Sequence, residues 1–126
     1  MADARNTYLL RDEELGTVRI ADDLVSVIAA LAATEVDGVA SLGGNITHEA
    51  VRKASGRSLS QGVKTEVKDG TVRFEIALNV DYDRNIMDVT KEVQERVKTA
   101  VENMTGMSVA EVKIRVAAVD LQTRES

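Results

Sequence analysis

The chain has 126 residues, the size of one ordinary domain, and a formal net charge of −5. Hydrophobic residues make up 44% but aromatics only 2%, so a core must come from close packing of Val, Ile, Leu, Ala and Met rather than from large rings. The acidic balance argues against a nucleic-acid binder that works through bulk charge. The lack of cysteine removes disulfides, thiolate nucleophiles and thiolate-bound metal, and no apolar run approaches the ~20 residues needed to span a bilayer.

Residues 1–15, MADARNTYLLRDEEL, carry charges without clear periodicity and lack the apolar stretch of a secretory signal. They are expected to form a flexible tail on a cytoplasmic protein. A short strand follows at 17–20, with Val18 and Ile20 on one side and Thr17 and Arg19 on the other. Val25, Ile28, Leu31 or Ala32, and Val36 then recur at helical spacing, which predicts a helix over 22–35. Asp22 and Asp23 suit its positive end, the alanines permit close approach to a sheet, and Gly38 stands where a terminator belongs. A second short strand is expected at 39–42.

Residues 43–62 interrupt the pattern. They hold Gly43 and Gly44, the lone His48, and the cations Arg52, Lys53 and Arg57. Thr47 suits the cap of a short helix over 48–54, with loop over 55–62. One reading seats an anion on the amides at that helix start, beside Arg52 or Lys53. The plainer reading is a variable, mobile connector whose glycines supply turn freedom.

The second half is patterned more clearly. Strands over 62–68 and 71–82 flank Asp69 and Gly70, which suit a tight hairpin. Val72, Phe74, Ile76, Leu78, Val80 and Tyr82 alternate as a core face. Lys64, Glu66, Lys68, Arg73, Glu75, Lys113 and Arg115 then belong to a solvated or protein-docking outer face. A helix is expected over 86–104, with Ile86, Val89, Val93, Val97, Ala100, Val101 and Met104 as its apolar stripe, Asn85 as N-cap and Gly106 as terminator. A last strand over 109–121 sets Val112, Ile114 and Val116 on the core side. The expected architecture is α+β: a two-layer sandwich with a small, mostly antiparallel sheet and two main helices on one face, in the order β-α-β-loop-β-β-α-β. One domain is expected over 16–121, with a C-terminal tail over 122–126.

Enzyme readings fail on chemistry. One histidine cannot supply half of a two-histidine metal site, and no strand-to-helix elbow presents Ser55, Ser58 or Ser60 to His48. Asp81, Asp83, Asn85 and Glu92 follow part of a calcium-loop spacing, but Ile86 replaces the required glycine and the segment follows a strand. An enzyme using Asp81 and Asp83 with a metal is the third-ranked reading. RNA stacking lacks a platform, because Phe74 and Tyr82 are assigned to the core face.

The two patterned halves resemble the alkaline shock protein family of bacterial envelope-stress proteins. The likeness is carried by GTVRIADDLVSVIAALAATEVDGV at 16–39, GVK at 62–64, the helix with VENMTG at 101–106, and VAEVKIRV at 109–116. Two departures concern helix starts: Ala21 where such proteins often have serine, with Asp22 expected to take over as cap, and Met87 where they often have proline. The resemblance implies a non-enzymatic cytoplasmic factor without cofactor or metal, tied to cell-envelope or lipid homeostasis. Its implied partners are proteins, including a membrane-anchored protein or a lipid-synthesis enzyme, together with further copies of itself. The residues assigned to partner or anion contact are Arg52, Lys53, Arg57, Lys64, Arg73 and Arg115. The alternative is a small-anion or nucleic-acid binder using the basic connector.

Overall fold

The long apolar alternation from Val72 to Val80 becomes the central strand. In the computed structural model, which describes residues 7–12, 15–53, 59 and 61–121, that strand is the fifth of six. The elements run β1 (Thr7–Asp12), β2 (Gly16–Ala21), α1 (Asp22–Thr34), β3 (Val39–Leu42), α2 (His48–Lys53), β4 (Val63–Lys68), β5 (Thr71–Asp81), α3 (Ile86–Thr105) and β6 (Ser108–Asp120). The protein is α+β, as expected, with helices packed against a four-stranded sheet.

β5 is paired along both edges. On one edge β6 runs parallel to it, from Thr71↔Ser108 to Asp81↔Asp120. On the other, β4 pairs antiparallel over Val63↔Ile76 to Lys68↔Thr71, and β3 pairs antiparallel over Val39↔Val80 to Leu42↔Leu78. Strands β3 and β4 therefore lie end to end along a single edge. The β4–β5 hairpin turns through Asp69 (φ 55°) and Gly70 (φ 76°), the doubly left-handed turn that matches strand twist.

The core lies between this sheet and the helices. Val25, Ala29, Ala30 and Ala33 of α1 and Val93, Val97 and Val101 of α3 are fully buried against Val72, Phe74, Ile76, Leu78 and Val80. Valines four apart give α3 one narrow apolar stripe, and the alanines let α1 pack closely against its neighbours. Each fully buried valine contributes roughly 1.5–3 kcal/mol of transfer free energy. Asn85 caps α3 as expected, its Oδ1 accepting from the Asp88 amide at 3.0 Å, and Gly106 ends it in the left-handed region at φ 75°.

Several expectations are corrected. A tail through residue 15 gives way to β1, which pairs antiparallel with β2 from Thr7↔Ala21 to Asp12↔Gly16. The run TYLLRD is rich enough in strand formers to satisfy its backbone groups once a partner strand follows at hairpin distance. That ribbon is a separate two-stranded sheet. Tyr82, placed on the core face, is 55% exposed because β5 ends at Asp81 and the chain turns toward α3. Ile86 and Met104 are also exposed, since the helical stripe centres on Val89, Val93, Val97, Val101 and Thr105. Ile114 and Val116 are only partly buried, because β6 forms the outer edge of the sheet. Residues 122–126 lie outside the described residues.

The start of α1 is corrected too. Its N-cap is Ala21 (φ −66°, ψ 140°), which makes no side-chain cap bond, and Asp22 is already inside the helix. Ala21 has the backbone of a good cap and lacks only the oxygen. Ala21→Ser is expected to stabilise the fold by about 0.5–1 kcal/mol and raise Tm by a few degrees. An unchanged or lower midpoint in thermal denaturation would contradict this.

Gly38 joins α1 to β3 at φ 102°, where a Cβ would fall 2.7 Å from Val89 Cγ2. Its carbonyl accepts from the Asp81 amide at 2.9 Å, so the turn is held between β5 and the first turn of α3. Gly38→Ala combines left-handed strain with a clash, and a loss of roughly 2–4 kcal/mol is expected in urea unfolding. A loss under half a kcal/mol would show that the turn relaxes freely.

Candidate functional site

Alternation along β4, β5 and β6 sends one set of side chains into the core and the other out to the helix-free face of the sheet. Register then lines the outward set up in rows. Arg73 of β5 stands between Glu66 of β4 and Glu111 of β6, and in the next row Glu75 stands between Lys64 and Lys113. Each central charge has the opposite sign on both sides, and the two rows are opposite to each other. Cross-strand pairs of unlike charge are favourable, and like charges directly opposite are not. A shallow recess of about 270 Å³ opens among Lys64, Glu66, Arg73, Glu75, Glu111 and Lys113.

Farther along β5 the outer face closes. Ala77 and Asn79 point outward yet are buried. The chain leaves β3 at Gly43, whose amide donates to Ala77 O at 2.8 Å. It returns at Gly62, whose carbonyl accepts from the Ala77 amide at 2.9 Å. Asn79 Nδ2 donates to Ser41 Oγ at 2.9 Å and to Leu42 O at 3.3 Å. The glycine pair does more than supply turn freedom. Gly44 is left-handed at φ 80°, but Gly43 serves close approach: a Cβ there would sit 2.9 Å from Ala77 Cβ.

The sequence-assigned cations separate into two groups. Lys64, Arg73 and Arg115 are exposed on the one sheet face, Arg115 beside Ala77 in the row after Lys113. Arg52 and Lys53 are exposed on α2, which packs against α1 and so belongs to the helical side. Lys53 faces Glu49 at 3.7 Å, one turn back. Both cations occupy the last turn of α2, the negative end of the helix, which is the wrong end for an anion. Arg57 lies outside the described residues, as do Ser55, Ser58 and Ser60. The 43–62 segment is also less of a solvated connector than expected. Thr47 Oγ1 caps α2 by accepting from the Ala50 amide at 3.2 Å, and Val51 and Leu59 are buried in the core. His48 begins α2 half-buried, its Nε2 enclosed and without a hydrogen-bond partner among the described residues.

Around the calcium-like spacing two side chains are engaged in structure. Asn85 caps α3, and the Arg84 guanidinium donates to Asp37 Oδ2 at 2.6 Å. The hydrogen bond and charge of Asp37 raise the Arg84 pKa above its ordinary value. Arginine is protonated at every accessible pH in any case, so its side of the contact carries no pH dependence. Glu111 is the one row residue not singled out from the sequence. Strict alternation back from Val112 already points it outward, but its place opposite Arg73 depends on a register shift near Ala110.

Fold and face together define a two-layer α+β domain with one sheet face covered by helices and the charged half of the other left to solvent. Residues 11–121 match the Asp23 family, described as having a cell envelope-related function, and the chain belongs to that family (the name is the family's and has no connection with residue 23). This is the alkaline shock protein family that the sequence motifs resemble. The chain is similar to YqhY of Bacillus subtilis (strain 168), an uncharacterized protein, at 33% identity over 122 residues, covering 94% of this chain and 90% of that one. It is also similar to Spy1535 of Streptococcus pyogenes serotype M6, likewise uncharacterized, at 31% identity over 108 residues, with 85% and 81% covered. Among solved structures, a zinc form of a MamM CTD matches with a TM-score of 0.49 at 15% identity, covering 79% of this chain and 87% of that one. No helix among the described residues is long and apolar enough to cross a membrane.

Asn79 ties the covered half of the outer face together. Asn79→Ala removes the donor to Ser41 Oγ and Leu42 O, and a destabilisation of about 1–3 kcal/mol is expected in denaturant unfolding. Retention of full stability would mean that these oxygens find other donors.

Proposed function

We propose that the chain is a non-enzymatic docking module serving the cell envelope-related function of its family. It binds a protein partner through the exposed charged half of its outer sheet face. The observation that carries this reading is the pair of alternating rows around Arg73 and Glu75. Six charged side chains on a rigid sheet form a specific pattern that a complementary protein surface can read, and charge patterns of this kind contribute more to partner choice and association rate than to raw affinity. The partner class is a membrane-anchored envelope protein or a lipid-synthesis enzyme. Self-association belongs to the same role.

The experiment is affinity capture of the full chain from native cells after gentle crosslinking, with membrane and soluble fractions kept apart. Wild type is compared with Lys64→Glu/Arg73→Glu, and thermal unfolding confirms that the variant folds. An envelope or lipid-synthesis protein captured by wild type and depleted about tenfold or more by the double reversal is the expected result. Equal capture by both chains would remove the sheet face from the reading. Recovery of nucleic acid with a steep loss of binding in salt would replace it with anion recognition.

A further inference from the structure

β6 forms one outer edge of the four-stranded sheet and is 13 residues long. Such an edge offers backbone donors and acceptors to another strand. Side chains of α3 reach two of its groups: Gln94 Nε2 donates to Val112 O at 3.0 Å, and Glu102 Oε2 accepts from the Val109 amide at 3.0 Å. A carbonyl oxygen has two lone pairs, so Val112 O still has room for a second donor. Beside the edge, an open groove of about 490 Å³ between α3 and β6 is lined by Val109, Val112 and Ile114, of which Ile114 is only partly buried.

We infer that β6 pairs antiparallel with β6 of a second copy, about a two-fold axis at Val112 that sets Glu111 of each chain opposite Lys113 of the other. The charge rows on the outer face carry the inference. With the axis at Val112, the row Glu66–Arg73–Glu111 continues into Lys113–Glu75–Lys64 of the second copy, and signs alternate across all six strands. The companion row continues by symmetry. A one-residue slip in pairing would set core-side residues against outer-face residues, so the axis must fall on a residue. Moving it to Glu111 or Lys113 sets that residue against its own copy, and moving it to Ile114 sets Lys113 against Arg115. Val112 leaves no like charges opposed within these rows. On the core side the same axis brings Val112 against Val112, and Val109 against Ile114 once the irregularity near Ala110 is skipped. Apolar surface of the α3–β6 groove is then covered. The arrangement is isologous and closes as a dimer, doubling the charged face into one continuous surface.

This inference deepens the docking reading and rests on self-association being part of it. The test measures the mass of the purified full chain by sedimentation equilibrium across concentration and ionic strength, for wild type, Glu111→Lys, Lys113→Glu and the double swap. Dimerisation of wild type is expected to weaken with salt. Each single reversal is expected to raise the dimer Kd by about tenfold or more, and the double swap to restore it. Each reversal also places like charges beside Arg73 or Glu75 in its own sheet, so thermal unfolding is read in parallel. The double swap does not repair those intrachain mismatches, so recovery of the dimer without recovery of Tm is the signature of pairing between copies. A wild type that stays monomeric up to about 1 mM, or a dimer indifferent to the reversals, overturns the inference. Partner capture that depends on Lys64 and Arg73 while the chain stays monomeric would leave the docking reading standing without the dimer. Equal capture by wild type and the Lys64/Arg73 reversal, beside an intact, swap-restored dimer, would do the reverse.

Discussion

Everything else in this domain depends on β5 being hydrogen-bonded on both edges at once. One edge is taken by a single long parallel strand, β6. The other is shared by two shorter strands whose ends meet at Ala77, where Gly43 donates to its carbonyl and Gly62 accepts from its amide. An unpaired backbone group at that junction would be costly in a buried strand. The two glycines make the pairing possible by letting the chain come close: a Cβ at Gly62 would meet Leu42 Cβ at 2.8 Å. The segment between them is thereby pinned at both ends to the centre of the sheet, and it returns Val51 and Leu59 to the core.

The same strand divides the molecule's surfaces. Its inward residues, Val72 to Val80, require a cover of α1 and α3, whose buried residues are small enough for close packing. Its outward residues fall into a charged half and a closed half, split at Ala77. The charged half has opposite signs side by side in every complete row, so it is stable facing water yet retains a definite pattern.

Much of this was legible in local sequence. The alternation from Val72, the caps Asn85 and Gly106, the Asp69–Gly70 turn and the stripe of α3 were readable because each depends on residues a few positions apart. The errors came where the outcome depends on distant residues. β1 carries no strong period of its own and forms a strand because β2 lies within hairpin reach. Tyr82 continues the alternation on paper, but its strand has already ended. The cations shared one list in sequence, and the fold sends Arg52 and Lys53 to the helical side and Lys64, Arg73 and Arg115 to the sheet face.

Sequence alone determined the element types from β2 onward, the centre of each apolar face and, through its motifs, membership of the family. Periods of two and 3.6 residues and capping chemistry are properties of short stretches of chain. Tertiary structure alone decided that β6 runs parallel to β5, that β3 and β4 share one edge, and that Glu66, Arg73 and Glu111 form a row beside Lys64, Glu75 and Lys113. Those relations join residues up to forty-nine positions apart (Lys64 to Lys113). They follow from strand register, which is set when the whole core packs and leaves no trace in any local pattern.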